Sequence, residues 1–204
     1  MELRDAISQI SQIRAQMDAS QVFRGYRSAT AAFSAAIAVC TAIIQAQWMA
    51  HPVRHIGLYL LLWIAAAAAS LVIIAIEMIL RCRRLNSDVQ TRLTMLAVES
   101  FLPSLIAGAA LTYLIFHFAA TAIWILPPLW MILFSLGILA SSRILPRATM
   151  YSGSYYMLAG IFCLLTFHGA QMFSPWIMGL GFGIGQLGTA TILYYTLERK
   201  HEFA

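Results

Sequence analysis

Charged side chains are scarce in this chain, a tenth of all residues, and no Asp, Glu, Lys or Arg stands at the centre of any of its long apolar stretches. Proton relays and ion pathways through a membrane are usually marked by such a group, so the lack weakens an ion-driven reading. Cysteine is scarce as well. Cys40, Cys82 and Cys163 are odd in number and scattered, which gives neither a disulfide framework nor metal-ligand spacing. Cys40 and Cys163 read as small apolar filler, Cys82 as a reduced surface thiol. Nothing resembles an activated serine, a paired carboxylate site, a metalloprotease helix or a phosphate loop. No catalytic residue is therefore assigned, and no enzyme is expected. Nor is there a polar stretch long enough for a soluble catalytic domain.

What fills the chain instead is apolar sequence. It is 61% hydrophobic with a mean hydropathy of +0.78, outside the balance of soluble globular domains. Residues 28–48, 56–80, 98–118, 121–141, 152–172 and 174–196 are each long and apolar enough to cross a hydrocarbon core of roughly 30 Å. The predicted fold is all-α: a six-span bundle over residues 28–197, preceded by an amphipathic segment over 1–27 and followed by a tail over 198–204. A cleavable signal peptide is not expected, because the first hydrophobic run begins near residue 28 and exceeds an h-region of about 7–15 residues.

Twelve of the thirteen basic residues fall on one side of this pattern, from Arg4, Arg14, Arg24 and Arg27 through Arg81, Arg83, Arg84 and Arg92 to Arg143, Arg147, Arg199 and Lys200; only Arg54 falls on the other. Basic segments stay cytoplasmic, so both termini are predicted inside. The net charge of +5 is then explained by anionic lipid head groups, and nucleic acid is not expected as a partner. Trp48, Trp124 and Trp176 fall at predicted outer ends, and Tyr26, Tyr151, Tyr155, Tyr156, Tyr194 and Tyr195 near inner ends, the two depths amphipathic rings prefer.

Within 3–23, Leu3, Ala6, Ile7, Ile10, Ile13 and Met17 recur at helical spacing opposite Arg4, Asp5, Ser8, Gln12 and Gln16. This is an amphipathic helix, lying in the interface or docking on a partner or second copy. Arg14 interrupts its apolar arc, which argues against a strict coiled-coil seam. Short outer turns near 49–55, 119–120 and Ser174–Pro175 make the spans pair as 1–2, 3–4 and 5–6. Pro127 and Pro128 mark a kink or a late helix start, whereas Pro103, near the start of span three, falls where N–H groups are spare. Glu99 opens the same span, where the helix dipole favours a carboxylate.

The last span holds Gly179, Gly181, Gly183, Gly185 and Gly188. Two GxxxG pairs lie among them, and missing side chains let helix backbones approach closely. They serve packing within the chain or an interface to a second copy or another membrane subunit. Gln186 in their midst needs polar partners, which Thr112, Ser135 or Thr166 can supply; the alternative is a polar point on a solute path or a contact to a bound pigment or lipid. His51, His55, His117 and His168 gather near the outer face. Imidazoles at one depth suit haem, pigment or a divalent metal, but interfacial histidines bonded to water or lipid are commoner, so no metal and no cofactor is expected. The candidate polar site is Gln186, Thr112, His117 and His168.

The stretch LPPLWMILFSLGILASSRILPRATMYSGSYYMLAG (126–160) followed by GLGFGIGQLG (179–188) resembles bacterial six-span integral membrane proteins with a glycine-rich last span. Pro127, Trp130, Arg143, Pro146 and the glycines carry the likeness. It implies a bacterial inner membrane and six spans, and no particular activity. The leading expectation is a non-enzymatic accessory, assembly or regulatory subunit that packs against lipid and a membrane protein partner or a second copy. The alternative is a small-solute transporter or channel with Gln186, Thr112 and the Pro127–Pro128 break along its path.

The charge asymmetry predicts a labelling pattern. With Cys40, Cys82 and Cys163 replaced by Ala, a cysteine at Arg54 should react with an impermeant maleimide in intact cells. One at Arg92 should react only after permeabilisation; the reverse pattern would overturn the orientation.

Overall fold

A computed structural model describes residues 28–49, 51–85, 88–142 and 148–198. The N-terminal amphipathic segment, the 143–147 connection with its two arginines and the C-terminal tail lie outside these residues. The described residues form six long helices and no strand. They are α1 (Ser28–Trp48), α2 (Ile56–Leu85), α3 (Asp88–Phe118), α4 (Leu126–Ser141), α5 (Thr149–Thr166) and α6 (Pro175–Leu193), the last ending in one π turn over Tyr194–Glu198. Short 3-10 turns over Pro52–His55, Ala120–Ile125 and Gly169–Phe173 join α1 to α2, α3 to α4 and α5 to α6. The third touches the other two, so all three gather at one end, the turn end. The opposite end carries the exposed Arg83 and Arg92 and is termed the basic end.

Among the described residues five stretches are long and apolar enough to cross a membrane: Ser28–Trp48, Pro52–Leu80, Thr94–Phe118, Ala120–Ser141 and Pro175–Thr196. The fifth helix stands outside this set. Expected over 152–172, it ends at Thr166 after 18 residues, and its first half carries Tyr151, Ser152, Ser154, Tyr155 and Tyr156. The chain leaves the helix early because Phe167 and His168 are extended and Gly169 takes φ +58°, a left-handed conformation that side chains disfavour.

Two expectations about α3 are corrected. The helix begins at Asp88, ten residues before the apolar run. Pro103 is therefore well inside it, and Glu99 is far from its N-terminus, so neither spare N–H groups nor the helix dipole accounts for their placement. At α4 the tandem prolines act as a late start: Pro127 and Pro128 occupy the first turn after the 3-10 segment, where their missing N–H groups have no intrahelical partner to lose.

The hairpin pairs are in contact, but the most extensive packing joins α1 to α6 and α4 to α5. On α1 the buried residues Ala31, Ser34, Ala35, Ala38, Thr41, Ala42 and Gln45 recur every three or four positions, a stripe of small residues. It meets Gly179 and Gly183 of α6: a Cβ on Gly179 would overlap that of Ala42, and one on Gly183 would lie 3.1 Å from Val39. Gly181 and Gly185 face the other way, against Met131 of α4 and the ring of Tyr156 of α5. Between α4 and α5, Gly160 sits where a Cβ would be 2.9 Å from the Pro128 carbonyl, and Ser135 donates to the Gly153 carbonyl at 2.7 Å. Where lipid chains are as apolar as leucine, such close approach and such bonds are what hold helices together.

The helices follow one another in the order α2, α1, α6, α5, α4, α3 around an incomplete ring, and α2 and α3 touch only sparingly. Among the described side chains of α2 only Tyr59, Leu60 and Trp63 are buried; from Ile64 to Leu80 no residue is.

Bulk in the α1–α6 seam should be costly. Gly179→Leu is expected to destabilise the fold by roughly 1–3 kcal/mol, the usual cost of overpacking. Gly188→Leu, where a Cβ meets nothing within 4 Å, should leave a thermal melt in detergent unchanged.

Candidate functional site

The gap in the ring is a chamber. A cavity of about 750 Å³ is enclosed by α1, α2, α3, α4 and α6, within the range of small-molecule sites. Its walls are overwhelmingly apolar, and among the described residues no Asp, Glu, Lys or Arg lines it. Leu60, Leu61, Trp63 and Ile64 of α2 face Leu105, Gly108, Ala109 and Tyr113 of α3 across it, with Trp130, Phe134 and Phe182 behind. Leu61 and Tyr113 are 63% and 60% exposed, so the chamber is open to the surroundings between α2 and α3.

The back wall is rigid for a stated reason. Phe134, Tyr156 and Phe182, from α4, α5 and α6, form a triangle with ring centroids 4.9, 5.4 and 5.7 Å apart, the spacing of favourable edge and tilted contacts. Tyr155 and Tyr156 donate to the carbonyls of Gly181 and Phe182 at 3.2 and 3.3 Å. The rim of α3 is fixed by the Trp130 indole N–H, which donates to the Thr112 hydroxyl at 2.9 Å, while that hydroxyl donates to the Gly108 carbonyl at 2.7 Å.

At the turn end a second network anchors α2. The buried Gln45 amide of α1 donates to the Phe173 carbonyl at 2.8 Å and accepts from the Trp63 indole at 2.8 Å. Tyr59 packs edge-on against Phe173 at 5.1 Å; its hydroxyl, like that of Ser152, is buried without a hydrogen-bond partner among the described residues.

Of the four residues of the candidate polar site, Gln186, Thr112 and His117 line the chamber. His168 does not: it lies on the turn-end surface against Trp124, ring centroids 5.6 Å apart. His117 stands at the mouth, between Tyr113 and Phe116. Thr112 and Ser135, two of the partners expected for Gln186, are engaged elsewhere, with Gly108 and Trp130 and with Gly153. Four of the five glycines of α6 meet neighbours within the chain, and Gly188 meets none. Cys163 is buried, but Cys40 is exposed on α1 rather than packed. His51 and His55 are exposed in the first turn, and among the described residues no three His, Cys, Asp or Glu side chains come together.

Gln45 was missed as a site residue although its signal is in the sequence. It continues the Ala31–Ala35–Ala38–Ala42 spacing by three residues, which places an amide on the buried stripe of α1.

Comparison with family models, with curated proteins and with solved structures gives no match.

Gln45→Leu should leave the Trp63 indole N–H and the Phe173 carbonyl without this partner. The expected loss is about 1–3 kcal/mol, read from unfolding in mixed micelles. In combination with Trp63→Phe the losses should fall short of additive, since one bond is removed by both changes.

Proposed function

We propose that this chain is a non-enzymatic integral membrane protein that takes an apolar guest of small-molecule size from the bilayer and holds it in the chamber between α2 and α3. The observation that carries this reading is the chamber itself: an apolar volume of about 750 Å³ in a chain of membrane-crossing length, open on the side where two helices barely touch. An open flank facing hydrocarbon admits apolar molecules without passage through water, and walls without charge give ions no stabilisation. α5 is taken as the sixth span, because it packs between α4 and α6 along its length and so shares their slab. The basic end is taken as cytoplasmic, in a bacterial inner membrane.

A second reading, an accessory or assembly subunit, is favoured by a different observation. Between Thr94 and Phe118 only Ala97 of α3 is buried, so the face of α3 turned away from α4 is available to another membrane protein. A stoichiometric complex that dissociates when α3 is altered, with the chamber intact, would favour that reading.

Narrowing the chamber discriminates. A Cβ on Gly108 has ordinary contact with Leu133 at 3.7 Å, so Gly108→Phe should fold and fill the space. In nanodiscs, quenching of Trp63 and Trp130 by 1-bromododecane should then fall by about tenfold in apparent affinity, roughly 1.4 kcal/mol. Gly188→Phe should bind as the parent does. Unchanged binding in Gly108→Phe would overturn the proposal.

A further inference from the structure

Resting on that reading, the lining of the chamber also narrows what its guest can be. Ser34 on α1, Ser70 on α2 and Ser104 on α3 all line it, and each is fourteen residues from the turn end of its helix, at Trp48, Ile56 and Phe118. At 1.5 Å per residue this is about 21 Å along each helix. Gln186, eleven residues into α6 from Pro175, comes in at about 17 Å. Four polar side chains from four helices thus form a band at nearly one depth.

On the turn-end side of the band, apart from the Tyr113 hydroxyl and the His117 ring at the mouth, the polar atoms of the wall are engaged with one another. The Trp130 N–H goes to Thr112, the Thr112 hydroxyl proton to Gly108, and the Trp63 N–H to Gln45. Inside the mouth, what a guest meets there is mainly hydrocarbon and aromatic surface. At the band it meets hydrogen-bonding capacity. The Ser34 hydroxyl gives its proton to the Thr30 carbonyl at 3.1 Å, which leaves its oxygen as an acceptor. Ser70 and Ser104 are half-buried in the wall.

We infer that the chamber selects a neutral amphiphile, an apolar chain or ring system bearing a hydroxyl or carbonyl, with that polar group at the Ser34–Ser70–Ser104–Gln186 band and the apolar body toward the turn end. The exclusion of charge is the discriminating feature. A carboxylate, phosphate or ammonium at this depth would be desolvated with no Asp, Glu, Lys or Arg among the described residues of the wall to pair with it, which is strongly unfavourable. A hydroxyl or carbonyl costs far less to bury once one hydrogen bond is made. Long-chain alcohols, polyprenols and quinones are the matching chemistry; phospholipid head groups are not.

The test uses the full chain in nanodiscs with Trp48, Trp124 and Trp176 replaced by Phe, so that emission comes from Trp63 and Trp130 in the chamber wall. Three probes of one chain length are compared at pH 9: 1-bromododecane, 12-bromododecanol and 12-bromododecanoate. The alcohol is expected to bind about tenfold more tightly than the alkane, the effect of one retained hydrogen bond, and the carboxylate more weakly than either. Gln186→Leu should bring the alcohol to the level of the alkane without moving the alkane. Ser104→Ala provides the same comparison with a smaller change, and alkane binding certifies that each variant has kept its chamber. Equal binding of alkane and alcohol, or tighter binding of the carboxylate, would overturn the assignment of a neutral amphiphile while leaving an apolar chamber standing. Quenching by none of the three would overturn both.

Discussion

Close backbone approach between α1 and α6 is the constraint on which the arrangement rests. In hydrocarbon there is no hydrophobic penalty for keeping two apolar helices apart, so association has to come from dispersion at short range and from hydrogen bonds that lipid cannot offer. The seam supplies the first condition with mostly small residues along its length, from Ala31 beside Ala190 and Leu193 at the basic end to Ala42 beside Gly179 toward the turn end. It joins the first and last described helices, and thereby closes the bundle on one side. Because Gly181 and Gly185 face the opposite direction, the same helix also seats the α4–α5 unit. One helix with small residues on two faces becomes the partition between two subassemblies.

The chamber follows from this by subtraction. The helices α1, α6, α5 and α4 are committed to tight seams, and α3 is drawn in along α4 through Phe101 beside Gly137, the Ser141–Ala97 contact at 3.4 Å and the Trp130–Thr112 bond. That leaves α2 without a small-residue groove to enter. Its alanine run, Ala65 to Ala69, contains no buried residue, and Ala66, Ala67 and Ala68 line the chamber. A run of small residues is therefore spent here on the wall of a space and not on a seam.

Much of this was legible in the sequence, and the reasons for the rest are physical. The first span was readable to the residue, Ser28–Trp48, because its apolar run and its helix coincide. The third was not, since α3 continues for ten residues through polar sequence that hydropathy excludes but helix propensity tolerates. The fifth was placed too late: Gly169 and the extended residues before it end the helix, while the apolar composition runs on. Hydropathy locates hydrocarbon, and backbone geometry decides where a helix stops. Gln186, Thr112 and His117 were picked out individually by polarity, and three dimensions put them on one cavity wall. His168 shared their depth but not their side. Gln45 shows the converse, a residue whose spacing announced burial and whose partners, Trp63 and Phe173, no local pattern could name.

The fastening of α2 has a mechanical consequence. A helix of 30 residues is about 45 Å long, yet among its described side chains only Tyr59, Leu60 and Trp63, all near one end, are buried. From Trp63 to Leu85 roughly 33 Å of rod extends beyond them. A rotation of about 5° at that end carries the far tip through roughly 3 Å, close to the width of a methylene chain, and from Ile64 to Leu80 no buried residue has to move with it. The capacity of the space beside it therefore varies with that angle, and the Gln45–Trp63 bond and the Tyr59–Phe173 contact both bear on it.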